Sequence, residues 1–355
     1  MNAGSYAFLK RLLDSPGPSG FEEAPARLWR EEAAAFADEV TADVSGNSVA
    51  VVNPRGEPRV MLAGHIDEIG LMIVHVDDDG YLYFSTIGGW DPQVLVGQRV
   101  LIAAKDRPVE GVIGKTSVHH LDEPERDKVS KPASLWIDIG AKSKKDALKS
   151  VRVGDAAVLA APCVELPNGR FASRSIDNRI GAFIVLEALR MLSKRPPKAA
   201  VFAVATTQEE IGWSGGGARP SATAIAPQVA LVVDVLQATD HPAADKKRYG
   251  DFKLGGGPVL SRGSATNPRV VDLLIQTAEA HKIPFALAAA PSDTRTDADA
   301  IHTAWHGIPT GVVSIPNRYM HTPNEMVDKA DLDRAARLLA GFARQVDPRT
   351  DFRPR

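Results

Sequence analysis

The feature that most narrows the possible folds is an alternation that starts near Asn178 and runs almost to the C-terminus. NRIGAFIVLEALRMLSKR has the spacing of a long helix and stops at Pro196-Pro197, where a missing amide and a ring clash forbid a further turn. KAAVFAVATT follows, an almost wholly apolar run with the length of a strand buried on both faces. A short Ala-rich helix, strand VALVVDV, helix PRVVDLLIQTAEAHK, strand FALAAA, helix DADAIHTAW, strand TGVVSIP and helix DLDRAARLLAGFARQV complete the series. Strands of this kind bury both faces only when helices cover the sheet from both sides, which predicts an α/β sheet. The residues after Asp347 are expected to be loose.

The beginning of the chain fits the same plan. YAFLKRLL and EEAPARLWREEAAAFADEV have helical spacing, and GNSVAVV and PRVMLAG are strand-length runs broken by Asn53-Pro54 and Gly56. From about Ile69 to Ala161 the texture changes. IGLMIVHV and YLYFSTIG flank the turn Asp78-Asp79-Gly80, and QRVLIAA, VEGVIGKT, SLWIDIG and VGDAAVLAA are further short strands. Only KSKKDALKS looks helical there. Short strands with Gly-containing turns suggest a small barrel or sandwich. The expected fold class is therefore α/β, a mixed sheet flanked by helices with an inserted small β-barrel-like domain. Residues 1–68 and 162–355 would form the discontinuous α/β part and 69–161 the insertion.

Composition excludes several roles. The 355 residues are 44% hydrophobic, enough for a sizeable core, and their net charge of -2 gives no bias towards polyanions. No basic stripe with interleaved aromatics is present, so no nucleic-acid partner is expected. Cys163 is the only cysteine, which rules out an intrachain disulfide and a CxxC metal site. No run approaches about 18 apolar residues, and MNAGSYAFLKRLLDSPG lacks the apolar centre of a signal peptide. The expectation is a cytoplasmic protein with no membrane partner. The glycines of WSGGG and LGGGP are not followed by Lys-Ser/Thr and match no dinucleotide fingerprint, so they read as turns.

In open α/β sheets, working residues gather at the carboxyl ends of strands. PRVMLAG ends in His65-Ile66-Asp67-Glu68, VFAVATT leads to Glu209-Glu210, VALVV to Asp234, and GVVSIP to a segment holding His321; Asp177 stands just before the long helix. Each has an ordinary alternative: Asp177 as a helix cap, a histidine as a hydrogen-bonded core or surface group, the glutamate pair as a solvated strand end. Two carboxylates about 4 Å apart repel by roughly 4 kcal/mol at an effective dielectric near 20, so such a pair sits either in water or against a cation. Five groups of this type arriving at element ends suit divalent cations. Asp177, Glu210 and Asp234 bring three negative charges, which two such cations and one hydroxide would balance. Asp67 lies two residues beyond His65, on the same side, and can fix its ring.

HIDEIG, SIDNR, TTQEEIG, VVDV and RYMHTPNEM, in this order, resemble the M42 family of dinuclear metal aminopeptidases. GFEE, DVSGN, GVIG followed by His120, WIDIGAKSKKDA, LGGGPV and TDADAIH also resemble family segments, so the likeness covers nearly the whole chain. It implies that Asp177 bridges two metals, that His65 and Asp234 complete one site, and that Glu210 and His321 complete the other. It further implies Glu209 as general base, Asp67 as the support of His65, and an insertion that dimerises, with dimers assembling into a tetrahedral dodecamer. Trp213-Ser214 and Arg295 depart from the family pattern, where leucine, arginine and glycine are usual.

The expected reaction is hydrolysis of the first peptide bond of a substrate with a free N-terminus. Water between two metal ions attacks the carbonyl, and Glu209 moves the proton to the leaving amine. His and carboxylate ligands suit zinc, cobalt or manganese. A related dinuclear deacylase or carboxypeptidase, and a non-catalytic assembly subunit, are the competing readings.

Overall fold

In the computed structural model, which describes residues 1–105, 107–212 and 215–353, the alternation becomes an eight-stranded sheet. The chain enters through α1 (Ala3–Asp14), capped by the Asn2 side chain on Ser5 N and burying Phe8, Leu9, Leu12 and Leu13. It continues through α2 (Glu23–Ala33), β1 (Glu39–Ala42), β2 (Ser48–Val52) and β3 (Arg59–His65). The glutamates and alanines expected to prolong α2 behave differently: Ala34 ends the helix, and Glu39–Ala42 pairs with β2 as an exposed edge strand. Edge pairing outweighs a helical spacing that had no apolar stripe left to bury.

The middle of the chain holds β4 (Gly70–Val76), β5 (Leu82–Ile87), β6 (Arg99–Ile102), β7 (Val109–Gly114), the single turn α3 (Glu123–Arg126), β8 (Trp136–Asp138), the single turn α4 (Lys144–Ala147) and β9 (Ala156–Leu159). These six strands close into an antiparallel barrel in the order β4-β5-β8-β7-β6-β9. Alternate residues such as Leu71, Ile73, Leu82, Phe84, Val100, Ile113 and Ile137 fill it.

The remainder comprises β10 (Val164–Glu165), β11 (Arg170–Ser173), α5 (Ile176–Ser193), β12 (Ala200–Thr206), α6 (Ala218–Ile225), β13 (Val229–Gln237) and the single turn α7 (Lys246–Tyr249). It closes with β14 (Val259–Gly263), α8 (Pro268–Ala280), β15 (Ala286–Ala290), α9 (Asp297–Ile301), β16 (Thr310–Asn317), β17 (Glu325–Asp328) and α10 (Lys329–Gln345). The main sheet runs β1-β2-β12-β3-β13-β16-β14-β15, with β12, β3, β13 and β16 mutually parallel at its centre. Helices α1, α2, α5, α8 and α10 cover one face, where Leu62, Val201, Leu231 and Val313 point. Helices α6 and α9 cover the other, against Met61, Val204, Ala230 and Val312. Strands β10, β11 and β17 form a small antiparallel sheet that the apolar pattern does not announce.

The C-terminal tail is docked rather than loose. Phe352 is buried and stacks on Phe342 with ring centroids 6.3 Å apart, and Asn267 Nδ2 donates to Phe352 O at 2.9 Å. Cys163 lies in the main core, where burial pushes its thiol up to about 11. No helix among the described residues is long and apolar enough to cross a membrane.

Candidate metal centre

The four central parallel strands end at one edge, and their register fixes what meets there. Thr206 lies beside His65, and Asp234 beside Ser314. His65 closes β3, Glu209 and Glu210 follow β12, Asp234 sits in the second half of β13, and His321 follows β16. Asp177 enters from the start of α5, where Asp177 and Asn178 are non-helical. The capping expected of an aspartate there falls to its neighbour: Asn178 Oδ1 accepts Gly181 N at 3.1 Å, and Asn178 Nδ2 donates to Val233 O at 2.8 Å. Asp177 is thereby left to face the strand ends.

All five candidate ligands converge. His65 Nε2 is 3.2 Å from Asp177 Oδ1, 3.6 Å from Glu209 Oε2 and 4.0 Å from Asp234 Oδ1. His321 Nε2 is 3.4 Å from Asp177 Oδ2 and 3.3 Å from Glu210 Oε2. Bonds of 2.0–2.1 Å in a tetrahedral shell place two donors about 3.3 Å apart, so most of these separations match neighbouring ligands of one ion. One donor atom each from His65, Asp177 and Glu210 lies within 4.8 Å of the others, and so does one from each of His65, Glu209 and Asp234. Glu210 Oε1 is buried without a hydrogen-bond partner, an orphaned acceptor that a cation would satisfy. The donor set therefore fits divalent metal.

Asp67 does more than flank the ring. Its Oδ1 is 3.2 Å from His65 Nδ1, and its two oxygens accept the backbone amides of Glu209 and Glu210 at 3.2 and 3.1 Å. Ser19 Oγ donates to it at 2.6 Å. One carboxylate thus lies against the imidazole and holds the amides of the glutamate pair, whose side chains diverge towards His65 and His321. Its neighbour Glu68 is engaged elsewhere, in a buried ion pair with Arg174 and Arg179.

The electrostatics are those of crowded, dry acids. Burial pushes Glu209 well above the usual range against the pull of His65, and Asp234, Asp297 and Glu210 add to the rise. Burial likewise raises Asp234 and Glu210, with Asp177 reinforcing both. Asp177 goes the other way: burial alone would raise it, but contacts with His321 and His65 hold it low. Burial would lower His321, yet Asp177 and Glu210 push it up to about 11. Crowding this many acids away from water makes it costly for all of them to ionise at once.

Three residues given no individual role from sequence complete the frame. Glu325, 2% exposed, accepts Asp177 N and His321 N, both at 2.8 Å. Asn47 accepts Thr207 N at 3.0 Å, and Glu22 accepts Gln208 N at 3.1 Å. They belong to RYMHTPNEM, DVSGN and GFEE, so the segments were visible while the contacts were not. Beside Glu209 opens a cavity of about 530 Å³, lined also by Arg219, Arg295, Asp297 and Asp299. Asp297 is buried, accepts from Thr206 Oγ1, and is pushed up to about 6, first by burial. Arg295 has φ 55°, the left-handed backbone that explains why glycine suits its position. Trp213 and Ser214, the other departure, lie outside the described residues. His120 is exposed on a turn of the insertion.

Residues 46–338 match the family described as M42 glutamyl aminopeptidase. The chain belongs to this family. Its fold and its peptidase class follow from several relatives together. The lysyl aminopeptidase of Pyrococcus furiosus is 34% identical over 353 residues, covering 98% of this chain and 99% of the relative. The structure of a TET aminopeptidase from a marine sediment Thaumarchaeota archaeon superposes with a TM-score of 0.92 at 34% identity, covering 97% of each chain. The TET1 peptidase of Pyrococcus horikoshii, described as able to assemble into a tetrahedron or a large octahedral shell, gives a TM-score of 0.85 at 29% identity, covering 96% of this chain and 100% of its own. This M42 chain is thus a peptidase with a mixed α/β sheet and an antiparallel barrel.

Proposed function

We propose that this M42 peptidase removes N-terminal residues from peptides at a centre of two divalent cations. His65 and Asp234 would hold one ion, Glu210 and His321 the other, and Asp177 would be shared. The observation that carries this reading is the split of Asp177, whose Oδ1 faces His65 while Oδ2 faces His321. When bound, such a pair supplies charge that acidifies a water, from a pKa of 15.7 towards about 7, and polarises the peptide carbonyl. Glu209, largely buried and raised in proton affinity, would take a proton from the attacking water and pass it to the amine nitrogen as the C–N bond breaks. Asp67 keeps the His65 ring and the amides of Glu209 and Glu210 in place for these transfers. The cavity beside Glu209 has room for the side chain of the first residue.

Zinc or cobalt, with manganese as a further option, suits the imidazole and carboxylate donors. We take 69–161 as an inserted dimerisation unit between the two α/β segments, 1–68 and 162–355. The tetrahedron or octahedral shell described for the Pyrococcus horikoshii relative supports a homo-oligomer here, and we take its form to be dimers building a tetrahedral dodecamer. The setting proposed is cytoplasmic. The test is a panel of aminoacyl chromogenic substrates on chelator-treated enzyme, with zinc, cobalt or manganese added back. Free-amine substrates should be cleaved and their N-acetylated forms spared. Release of acetate from the acetylated forms instead would identify a deacylase, and activity untouched by chelation would refute the metal centre.

A further inference from the structure

We infer that Glu325 is a positioning residue that sets the spacing between Asp177 and His321 and thereby the affinity of the metal site they share, a role that rests on the two-cation reading above. The topology brings it there. Strand β17 begins at Glu325 and pairs antiparallel with β11, Ser173 opposite Glu325 and Ala172 opposite Met326. Strand β11 leads through Arg174, Ser175 and Ile176 to Asp177. On its other side, the start of β17 is tied to the segment leaving β16. Arg318 and Met326 exchange both backbone hydrogen bonds at 3.0 Å, and Asn317 Oδ1 accepts Met326 N at 3.2 Å. Glu325 thus stands between the segment that carries Asp177 and the segment that carries His321.

Its carboxylate joins them. Oε2 accepts the amide of Asp177 and Oε1 the amide of His321, each at 2.8 Å. Neither amide has a regular ladder to enter, because Asp177 is non-helical and His321 has φ 60°. Without Glu325 one buried and one partly buried donor would lose their acceptor, and the relative placement of the two ligands would be set by loops alone. Only a forked acceptor serves both. Glutamine would turn an NH₂ group onto one of the amides, and aspartate is a methylene too short to reach both. Partners of metal ligands that act in this way are commonly worth 10- to 100-fold in metal affinity.

The test uses full-length protein and the variant Glu325→Gln, with Glu325→Asp carried in parallel in case the first does not fold. Metal affinity is measured by competition with a chromogenic chelator, using zinc alone. Circular dichroism and thermal unfolding of the metal-stripped forms report the fold. The expected result is a cooperatively folded variant whose weaker-bound zinc has lost about 10- to 100-fold in affinity. Its kcat falls at limiting zinc and recovers with excess zinc, while KM stays within about twofold of the wild type. A variant that binds two zinc ions as tightly as the wild type, or one whose lost kcat excess zinc does not restore, overturns this inference alone. A wild-type chain that binds no zinc overturns the reading of the centre as well.

Discussion

Glu209 and Glu210 are neighbours in the chain with different surroundings, and the difference is testable. Glu210 faces His321 and Asp177, whereas Glu209 faces His65 from the side of the cavity. Glu209→Gln should keep both metals by elemental analysis and lose about 10²- to 10⁴-fold in kcat, the span usual for a general base. Full turnover in that variant would refute its role. The same acids make a prediction about pH. In metal-stripped protein, Glu209, Asp234 and Glu210 keep protons above the range where unfolded carboxyls lose them, and His321 keeps its own to about 11 against an ordinary 6.5. The folded chain then binds more protons than the unfolded one, so stability falls as pH rises through this window. Asp177, held low, acts in the opposite sense only below the ordinary carboxylate range. Scanning calorimetry of chelated protein should show the melting temperature falling between about pH 6 and pH 9, with a shallower slope once zinc replaces the protons; a flat chelated profile would contradict this. The candidate ligands could be read from sequence because histidines and acids at the ends of buried strands conflict with their surroundings. Glu325, Asn47 and Glu22 could not be assigned in the same way. A side chain that accepts a distant backbone amide leaves no periodic trace, and its partner is known only once the segments are packed.

At the scale of elements, the segment that carries the glutamates is held at Thr207 and at Gly217 by one residue of the β1–β2 connection. Asn47 Oδ1 accepts Thr207 N, and Asn47 Nδ2 donates to Gly217 O, each at 3.0 Å. The approach is so close that a Cβ on Gly217 would lie 1.9 Å from Asn47 Oδ1. Asn47→Ala leaves the buried Thr207 amide without its acceptor, at about 1–3 kcal/mol, while Gly217 O keeps the Ser221 amide at 3.2 Å. We expect a lower melting temperature together with a reduced kcat, read by thermal unfolding and steady-state kinetics; a variant with wild-type values in both would show that the loop holds itself. The long helices and the central strands were legible because their apolar periods are strong and their lengths ordinary. Strands β1, β10, β11, β14 and β17 were not. They are two to five residues long, several are exposed, and their pairing is set by what lies beside them. Whether the insertion closes as a barrel or splits as a sandwich depends on the pairing of β4 with β9, a contact across most of its length that no local pattern encodes.

Over the whole molecule, the insertion carries several exposed valines. Val74 and Val112 on its strands are 45% and 48% exposed, and Val118 and Val129 on its outer segment are 48% and 53% exposed. The tetrahedron or octahedral shell described for the Pyrococcus horikoshii relative, carried to this chain as proposed above, sets the expectation of a homo-oligomer. Size-exclusion chromatography with light scattering should therefore give an even multiple of the 38.0 kDa chain, with a twelve-chain particle as the expected end point. A monomer at micromolar concentration would sink the assembly proposal and leave the chemistry untouched. The insertion also reaches inward. A Cβ built on Gly88 would stand 3.5 Å from Glu210 Cβ, and one built on Gly89 would stand 3.4 Å from His321 Nδ1. This bare stretch of backbone after β5 stands beside both side chains on the His321 side of the centre, where an added methyl group would reach them only at ordinary van der Waals distance; the tight contact at Gly88 is with Ile69 Cγ2, at 2.6 Å. A version of the enzyme trimmed to its α/β part would retain every acid and imidazole yet open that side to bulk solvent, so the barrel cannot be discarded as mere scaffolding without changing the vessel in which the reaction runs.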